Sequence, residues 1–293
     1  MKRLLQLLTF YRYDLIWIEK EIFPYLPAWV ERFLKFVGKP YVVDYDDATF
    51  HTYDRSTNPL IRRLLGRKID AVMRHSSCVV AGNQYLANRA VEAGATKVRI
   101  VPTVVDSSRY SVKPDAVSEP RVIGWIGSPS SAKYLLPIRA ALIGACKSHN
   151  ARLLLIGATP EIATEFPDVE VQVVPWTEET EARLIRLMDI GIMPLRDGPW
   201  ELGKCGYKLI QYMACGVPVI ASPVGSNSEI VSSSKAGVLA STIQEWEQAL
   251  QQLLRSAETR TIFGRRGREA VERNYSLRSQ VVAVEQVLEE AIT

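Results

Sequence analysis

A chain of 293 residues with 47% apolar and 23% charged side chains can bury one large or two medium cores and is not a disordered tail. A net charge of +4 falls far short of the basic stripe that phosphate neutralisation requires, so nucleic acid is set aside as a partner. No uninterrupted apolar run reaches the roughly 20 residues of a membrane span. Cys78, Cys146, Cys205 and Cys215 show no paired metal-ligand spacing, so a cytoplasmic setting is expected, with membrane contact at most peripheral.

Residues 1–10 begin with Lys2 and Arg3 and are then leucine-rich. Gln6 interrupts the short apolar run and no small-residue cleavage site follows, which predicts a helix and not an export signal. Short β-branched runs then alternate with segments of helical period, the pattern of parallel strands joined by crossover helices. Strands are expected at residues 14–18, 41–45, 78–81 and 97–101, and helices at 31–37, 60–75 and 84–93, with Gly94 as a stop. Arg62, Arg63, Arg67 and Lys68 gather on the middle helix, as a face for anionic lipid or as a plain solvated surface.

Residues 106–120 are polar, hold Pro114 and Pro120, and read as an interdomain linker. A second unit starts at Arg121, with strands expected at 121–126, 152–156, 169–174, 190–193, 217–221 and 237–239. Six parallel strands make a complete doubly wound sheet. The first unit offers about four and lacks the Gly-rich turn after an opening strand, so it reads as incomplete at its amino end. Helices at 244–255, 258–273 and 277–291 close the chain, the last capped by Ser276 and expected to pack back across the linker. The expected division is 1–115, 116–275 and 276–293, all of it α/β.

The chemistry concentrates in the loop from Gly198 to Lys208 and the helical run that follows it. A glycine-bearing loop entering a helix presents free N–H groups and the positive end of the helix dipole to an anion. Gly203 and Gly206 offer close backbone approach, Cys205 between them is counted with the phosphate loop, and Lys204 and Lys208, one helical turn apart, are either a pair converging on one diphosphate or solvated flanks. A second turn, Gly124-Trp-Ile-Gly127-Ser128-Pro-Ser-Ser131, follows the first strand of the second unit, where a doubly wound sheet binds phosphate, with Lys133 nearby.

From Ser77 onward the chain resembles glycosyltransferase family four, the nucleotide-sugar-dependent transferases of GT-B fold. The residues that carry the likeness are Val80-Ala-Gly-Asn-Gln-Tyr-Leu86, Val101-Pro-Thr-Val-Val-Asp106, Trp125-Ile-Gly-Ser-Pro129, Asp189-Ile-Gly-Ile-Met-Pro-Leu195 and the long run from Lys204 to Ser222. The resemblance implies two Rossmann-like domains, the donor bound mainly by the carboxyl-terminal one and the acceptor by the other, with no divalent metal and no cofactor. In most of the family two glutamates eight positions apart bracket the phosphate loop. Here those positions are Gly203 and Gln211, and Gln211 retains the ability to hydrogen-bond ribose hydroxyls. Glu201, two residues earlier, is a substitute for the first glutamate or a solvated loop residue. Ser128 stands where an arginine is common, and Lys133 near the usual lysine.

The family places the base against the loop Val174-Pro-Trp176-Thr177, with Trp176 as pocket wall or core packing. Asp44, Asp46 and Asp47 end a strand of the first unit and read either as a metal motif of another transferase fold or as carboxylates for an acceptor, where Asp46 or Asp47 would orient a hydroxyl or accept its proton. His51 ranks below them. The reading that follows is a retaining transferase moving a sugar from a nucleoside-diphosphate sugar to a glycan or lipid-linked acceptor. The alternatives are a truncated nucleotide-sugar binder with little turnover unless completed by a partner, and a sugar-nucleotide epimerase of the same fold.

Overall fold

A computed structural model describes residues 9–112 and 119–292. Lys2, Arg3 and the rest of residues 1–8, most of the helix expected over residues 1–10, and residues 113–118 of the expected linker lie outside the described residues. The chain divides into two compact units, Met1–Thr103 with Gly198–Cys205 and Gln280–Thr293 in one, and Val104–Asp197 with Gly206–Ser279 in the other. The division therefore falls after Thr103 and not after residue 115, and the loop Gly198–Cys205, expected in the second unit, belongs to the first.

The first unit holds a parallel sheet of β1 (Ile16–Glu19), β2 (Tyr41–Tyr45), β3 (Cys78–Ala81) and β4 (Val98–Ile100), ordered β1-β2-β3-β4. All four residues of β3 are buried, as parallel strands covered on both faces require. The intervening helices are α1 (Trp29–Phe36), α2 (Pro59–Leu65), α3 (Lys68–His75) and α4 (Gln84–Glu92). On one face Tyr41, Val43 and Tyr45 pack with Leu34, Ile69 and Met73. On the other, Val42, Cys78 and Val80 meet Val287 and Ala291 of the final helix, Leu277–Ile292, which Ser276 caps by accepting the Ser279 N–H at 3.1 Å.

The single helix expected over residues 60–75 is two. It stops at Leu65, Arg67 departs from helical geometry with φ −111°, and α3 begins at Lys68. Lys68 is 5% exposed, its ammonium held by Glu21, which is itself buried. A buried carboxylate requires a counter-charge, so Lys68 leaves the basic face on which the sequence placed it.

The second unit holds β5 (Arg121–Ile126), β6 (Ala151–Ile156), β7 (Val171–Val174), β8 (Ile190–Met193), β9 (Val219–Ala221) and β10 (Gly237–Leu239), all parallel and ordered β10-β9-β8-β5-β6-β7. Its main helices are α5 (Arg139–His149), α6 (Glu181–Ile185), α7 (Tyr207–Ala214), α8 (Ser226–Ser234), α9 (Ile243–Arg255) and α10 (Ala257–Asn274). Alternation along the strands sends Leu154 and Ile156 to the layer of Ile210, Tyr212 and Val271, and Leu153 and Leu155 to the layer of Leu142, Trp246 and Leu250. β5 pairs with β6 on one side and β8 on the other, so the strand order reverses there. Such a switch point leaves a crevice at the carboxyl ends of the strands, where ligands of open α/β sheets bind.

Candidate active site

A pocket of about 580 Å³ occupies that crevice. Its walls are the turns that follow three strands: Gly127 to Pro129 after β5, Gly157 and Ala158 after β6, and Pro175 with Trp176 after β7. Tyr207, Lys208 and Gln211 of α7 and Glu181 of α6 complete it. The helix α7 begins at Gly206, whose φ of 72° is left-handed, so the chain turns sharply into the helix and directs its first N–H groups into this region.

Lys208 projects from the first turn of α7. Its Nζ lies 4.4 Å from the centroid of the Trp125 ring and 3.5 Å from Ser131 Oγ. A Cβ at Gly127 would stand 2.5 Å from that Nζ. It would also stand 2.6 Å from the Trp125 ring, so glycine after β5 leaves both groups in place. Ser128 lines the pocket, its Oγ 3.1 Å from Ser130 Oγ. Lys133 does not line it: residues Pro129–Ile138 wind in 3-10 turns that leave Lys133 exposed, its Nζ 5.5 Å from the Tyr134 ring.

A second group of side chains surrounds Glu181, which is 5% exposed. Its carboxylate accepts from the Tyr110 hydroxyl and, at 2.6 Å, from the Trp176 indole N–H. Gln211, 2% exposed, donates from Nε2 to the Tyr110 hydroxyl at 3.5 Å. Burial, with Glu181 beside it, raises the Tyr110 hydroxyl far above the ordinary phenol range. Trp176 is 51% exposed, so its indole is a wall of the pocket and not core. Tyr110 and Glu181 went unnoticed in the sequence. Tyr110 stands in the polar stretch read as a linker, and Glu181 in a run of acidic residues with no spacing to mark it.

The first unit gathers the remaining candidates. Asp46 pairs with Lys20 at 2.9 Å, and Asp47 with Lys204 at 3.5 Å. Burial raises the Asp47 carboxyl above its ordinary range; Lys204 opposes this and Asp46 adds to it. Asp44 accepts the Trp17 indole N–H at 2.8 Å. The loop that carries Lys204 is fastened by Asn83, whose Nδ2 donates to the carbonyls of Leu202 at 3.1 Å and Lys204 at 3.2 Å. Gly203 abuts Ala48, where a Cβ would stand 2.5 Å from the alanine Cβ and 2.6 Å from its backbone nitrogen. Cys205 is buried with its thiol pushed up to about 12, chiefly by desolvation.

Gly203, Lys204 and Cys205 thus pack within the first unit beside Asp47 and Ala48, while Gly206 and Lys208 belong to the second. The pocket is lined by Lys208 and not by Lys204. Lys204 pairs with Asp47 and Lys208 approaches Ser131 Oγ, and Asn83 holds the loop up to Lys204. Glu201 sits on the single turn Pro199–Leu202, outside the pocket lining. His51 is held at both ring nitrogens, by Asp54 at 2.8 Å and the Tyr85 hydroxyl at 2.9 Å, and is structural. Among the described residues no group of three or more His, Cys, Asp or Glu is placed to hold a metal ion.

A complete doubly wound parallel sheet with a pocket at its switch point makes the second unit an open α/β domain of the kind whose ligands bind at that point. Residues 120–256 match the family Glycosyl transferases group 1. The N-acetyl-alpha-D-glucosaminyl L-malate synthase of Bacillus anthracis is 30% identical over 131 residues, which cover 42% of this chain and 33% of that protein. The matched stretch thus spans a third of the length of this relative. Among solved structures, sucrose-phosphate synthase from Thermosynechococcus elongatus superposes with a TM-score of 0.75 at 18% identity, covering 96% of this chain and 74% of that one. Anabaena HepE in complex with UDP and glucose gives 0.76 at 15% identity, covering 98% and 80%. The chain has the GT-B fold expected from the sequence.

Proposed function

We propose that this chain is a glycosyltransferase that takes its sugar from a nucleoside-diphosphate donor held in the pocket of the second unit. The observation that carries the proposal is Lys208, whose ammonium group stands over Gly127 at the amino end of α7. A diphosphate there meets a fixed cation and helix N–H groups together. Both stabilise the negative charge that grows on a departing diphosphate more than they stabilise the intact donor, which is where rate acceleration arises. The same groups supply charge neutralisation without a divalent metal. Trp176 and Gln211 then take the base and ribose.

On the acceptor side the proposal assigns Asp47, with Asp46 beside it. The acceptor oxygen bonds to the anomeric carbon, the glycosyl–phosphate C–O bond breaks with its electron pair going to the diphosphate, and the acceptor proton leaves to a carboxylate. A raised carboxyl such as that of Asp47 is the better proton acceptor of the two kinds, buried and exposed. Transfer with retention, to a glycan or lipid-linked acceptor, follows from the family resemblance. For a lipid-linked acceptor the exposed face of α1 offers support: Trp29, Phe33 and Phe36 are 65%, 50% and 87% exposed, with Arg32 and Lys35 between them, a composition suited to the surface of an anionic bilayer. Among the described residues no helix is long and apolar enough to cross a membrane.

Gly203 favours a second reading, a nucleotide-sugar binder with slow turnover. A side chain there collides with Ala48, so the position at which the family carries its first glutamate has no room for one in this chain. Calorimetric titration with UDP, GDP and ADP, with chelator and then with magnesium, followed by donor hydrolysis and transfer assays, separates the two. Metal-independent binding with turnover supports the transferase, binding without turnover the passive binder, and no binding defeats both.

A further inference from the structure

We infer that Glu181 is the positioning residue of the nucleoside subsite: it anchors the indole of Trp176 as a fixed wall for the base and, through the Tyr110 hydroxyl, sets the side chain of Gln211. The inference rests on the donor pocket proposed above and extends it to a residue outside the phosphate loop. A tryptophan with half its surface in solvent has little packing to hold its ring. Here the ring is fixed at one atom, the indole N–H, by a carboxylate that is itself buried and can only accept. The second carboxylate oxygen is taken by the Tyr110 hydroxyl, which in turn faces Gln211 Nε2. One acceptor therefore fixes two donors from different parts of the chain, residue 110 before β5 and residue 176 after β7.

Immobilising an aromatic wall before the ligand arrives removes an ordering cost from binding. Glu181 is expected to act on the nucleoside end of a ligand and to leave the diphosphate end, at Lys208 and Gly127, unaffected. A residue that merely supported the fold would weaken both ends together.

The test uses the full chain and five ligands: a nucleoside diphosphate that binds the parent, its nucleoside, inorganic pyrophosphate, and two nucleosides of other bases. Glu181→Ala removes the acceptor, and Trp176→Phe keeps a ring but removes the donor at an exposed position where folding is not at risk. Each is expected to weaken the nucleoside and the nucleoside diphosphate by the same factor, about tenfold, with pyrophosphate unchanged. The double variant is expected to be no weaker than Glu181→Ala alone, because that change already removes the acceptor of the Trp176 indole N–H. Glu181→Gln should restore binding to within about threefold, since its oxygen accepts from the indole while its amide donates to the Tyr110 oxygen. Unchanged nucleoside affinity in Trp176→Phe, additive losses, or an equal loss for pyrophosphate each overturn the inference while leaving the donor reading intact. A parent chain that binds no nucleoside diphosphate overturns both.

Discussion

The Nζ of Lys208 lies 4.4 Å from the centroid of the Trp125 ring, over the one residue of that turn whose missing Cβ admits it, Gly127. Trp125 is buried, so the cation rests on a rigid aromatic floor and is aimed before any ligand binds. Lys208→Ala is expected to weaken nucleoside diphosphate binding by about tenfold to a hundredfold, the worth of a charged hydrogen bond, and nucleoside binding hardly at all. Titration of both ligands checks it, and equal losses would remove Lys208 from the phosphate site.

Asp47 carries a carboxyl raised by burial. If it takes the acceptor proton, Asp47→Asn should lower transfer by about a hundredfold or more with donor affinity unchanged. The sign of the pH dependence follows: the carboxylate is the active form, so the rate falls as acid protonates it. Because the carboxyl is raised, the fall begins at a higher pH than an ordinary aspartate near 3.9 would give. A rate profile that stays flat down to that value would reassign the role.

Gly203 meets the Cβ of Ala48 and its backbone nitrogen at 2.5 and 2.6 Å from any added Cβ. Gly203→Ala should destabilise the first unit by about 1–3 kcal/mol, the usual cost of overpacking, seen as a lowered melting temperature. Gly203→Glu, which restores the residue common in the family, should cost more and gain no activity. A gain would mean that the loop has a second resting place.

All four cysteines are free and buried, and burial pushes the thiols of Cys146, Cys205 and Cys215 up to about 12. The reactive thiolate is then a minute fraction at pH 8. The native chain should resist a thiol reagent for hours there and yield all four cysteines once denatured. Fast labelling of Cys205 alone would show that the loop opens from the first unit.

The exposed face of α1 predicts binding to vesicles containing anionic lipid that weakens with salt. Phe36→Asp, at a position 87% exposed, should reduce co-sedimentation about tenfold without altering the melting temperature. Equal sedimentation of parent and variant would remove this face from any bilayer contact.

The periodicity of apolar residues carried the architecture. Strands such as 78–81 and 190–193 are short continuous apolar runs because both faces of a parallel sheet are covered, and the structure has them at those bounds. The sharp entry into α7 was legible for a local reason: a glycine before a helix permits a left-handed turn, and Gly206 has φ 72°. The two helices at residues 59–75 read as one because their apolar periods run on, and the pairing of Lys68 with Glu21, 47 positions away, leaves no mark in local spacing.

What the sequence by itself determined is the class: an alternating α/β chain, a complete six-stranded second sheet, and a turn and a helix start suited to a diphosphate. These depend on local periods and on residue types whose backbone freedom or charge is the same wherever they stand. Only the tertiary structure decided which residues share a site. It fastened the loop at Lys204 to Asn83, gave Lys204 to Asp47, and brought Tyr110 and Trp176 together around the carboxylate of Glu181. Hydrogen bonds and ion pairs between distant residues leave no trace in spacing, because their geometry exists only once the sheet has set the ends of its strands side by side.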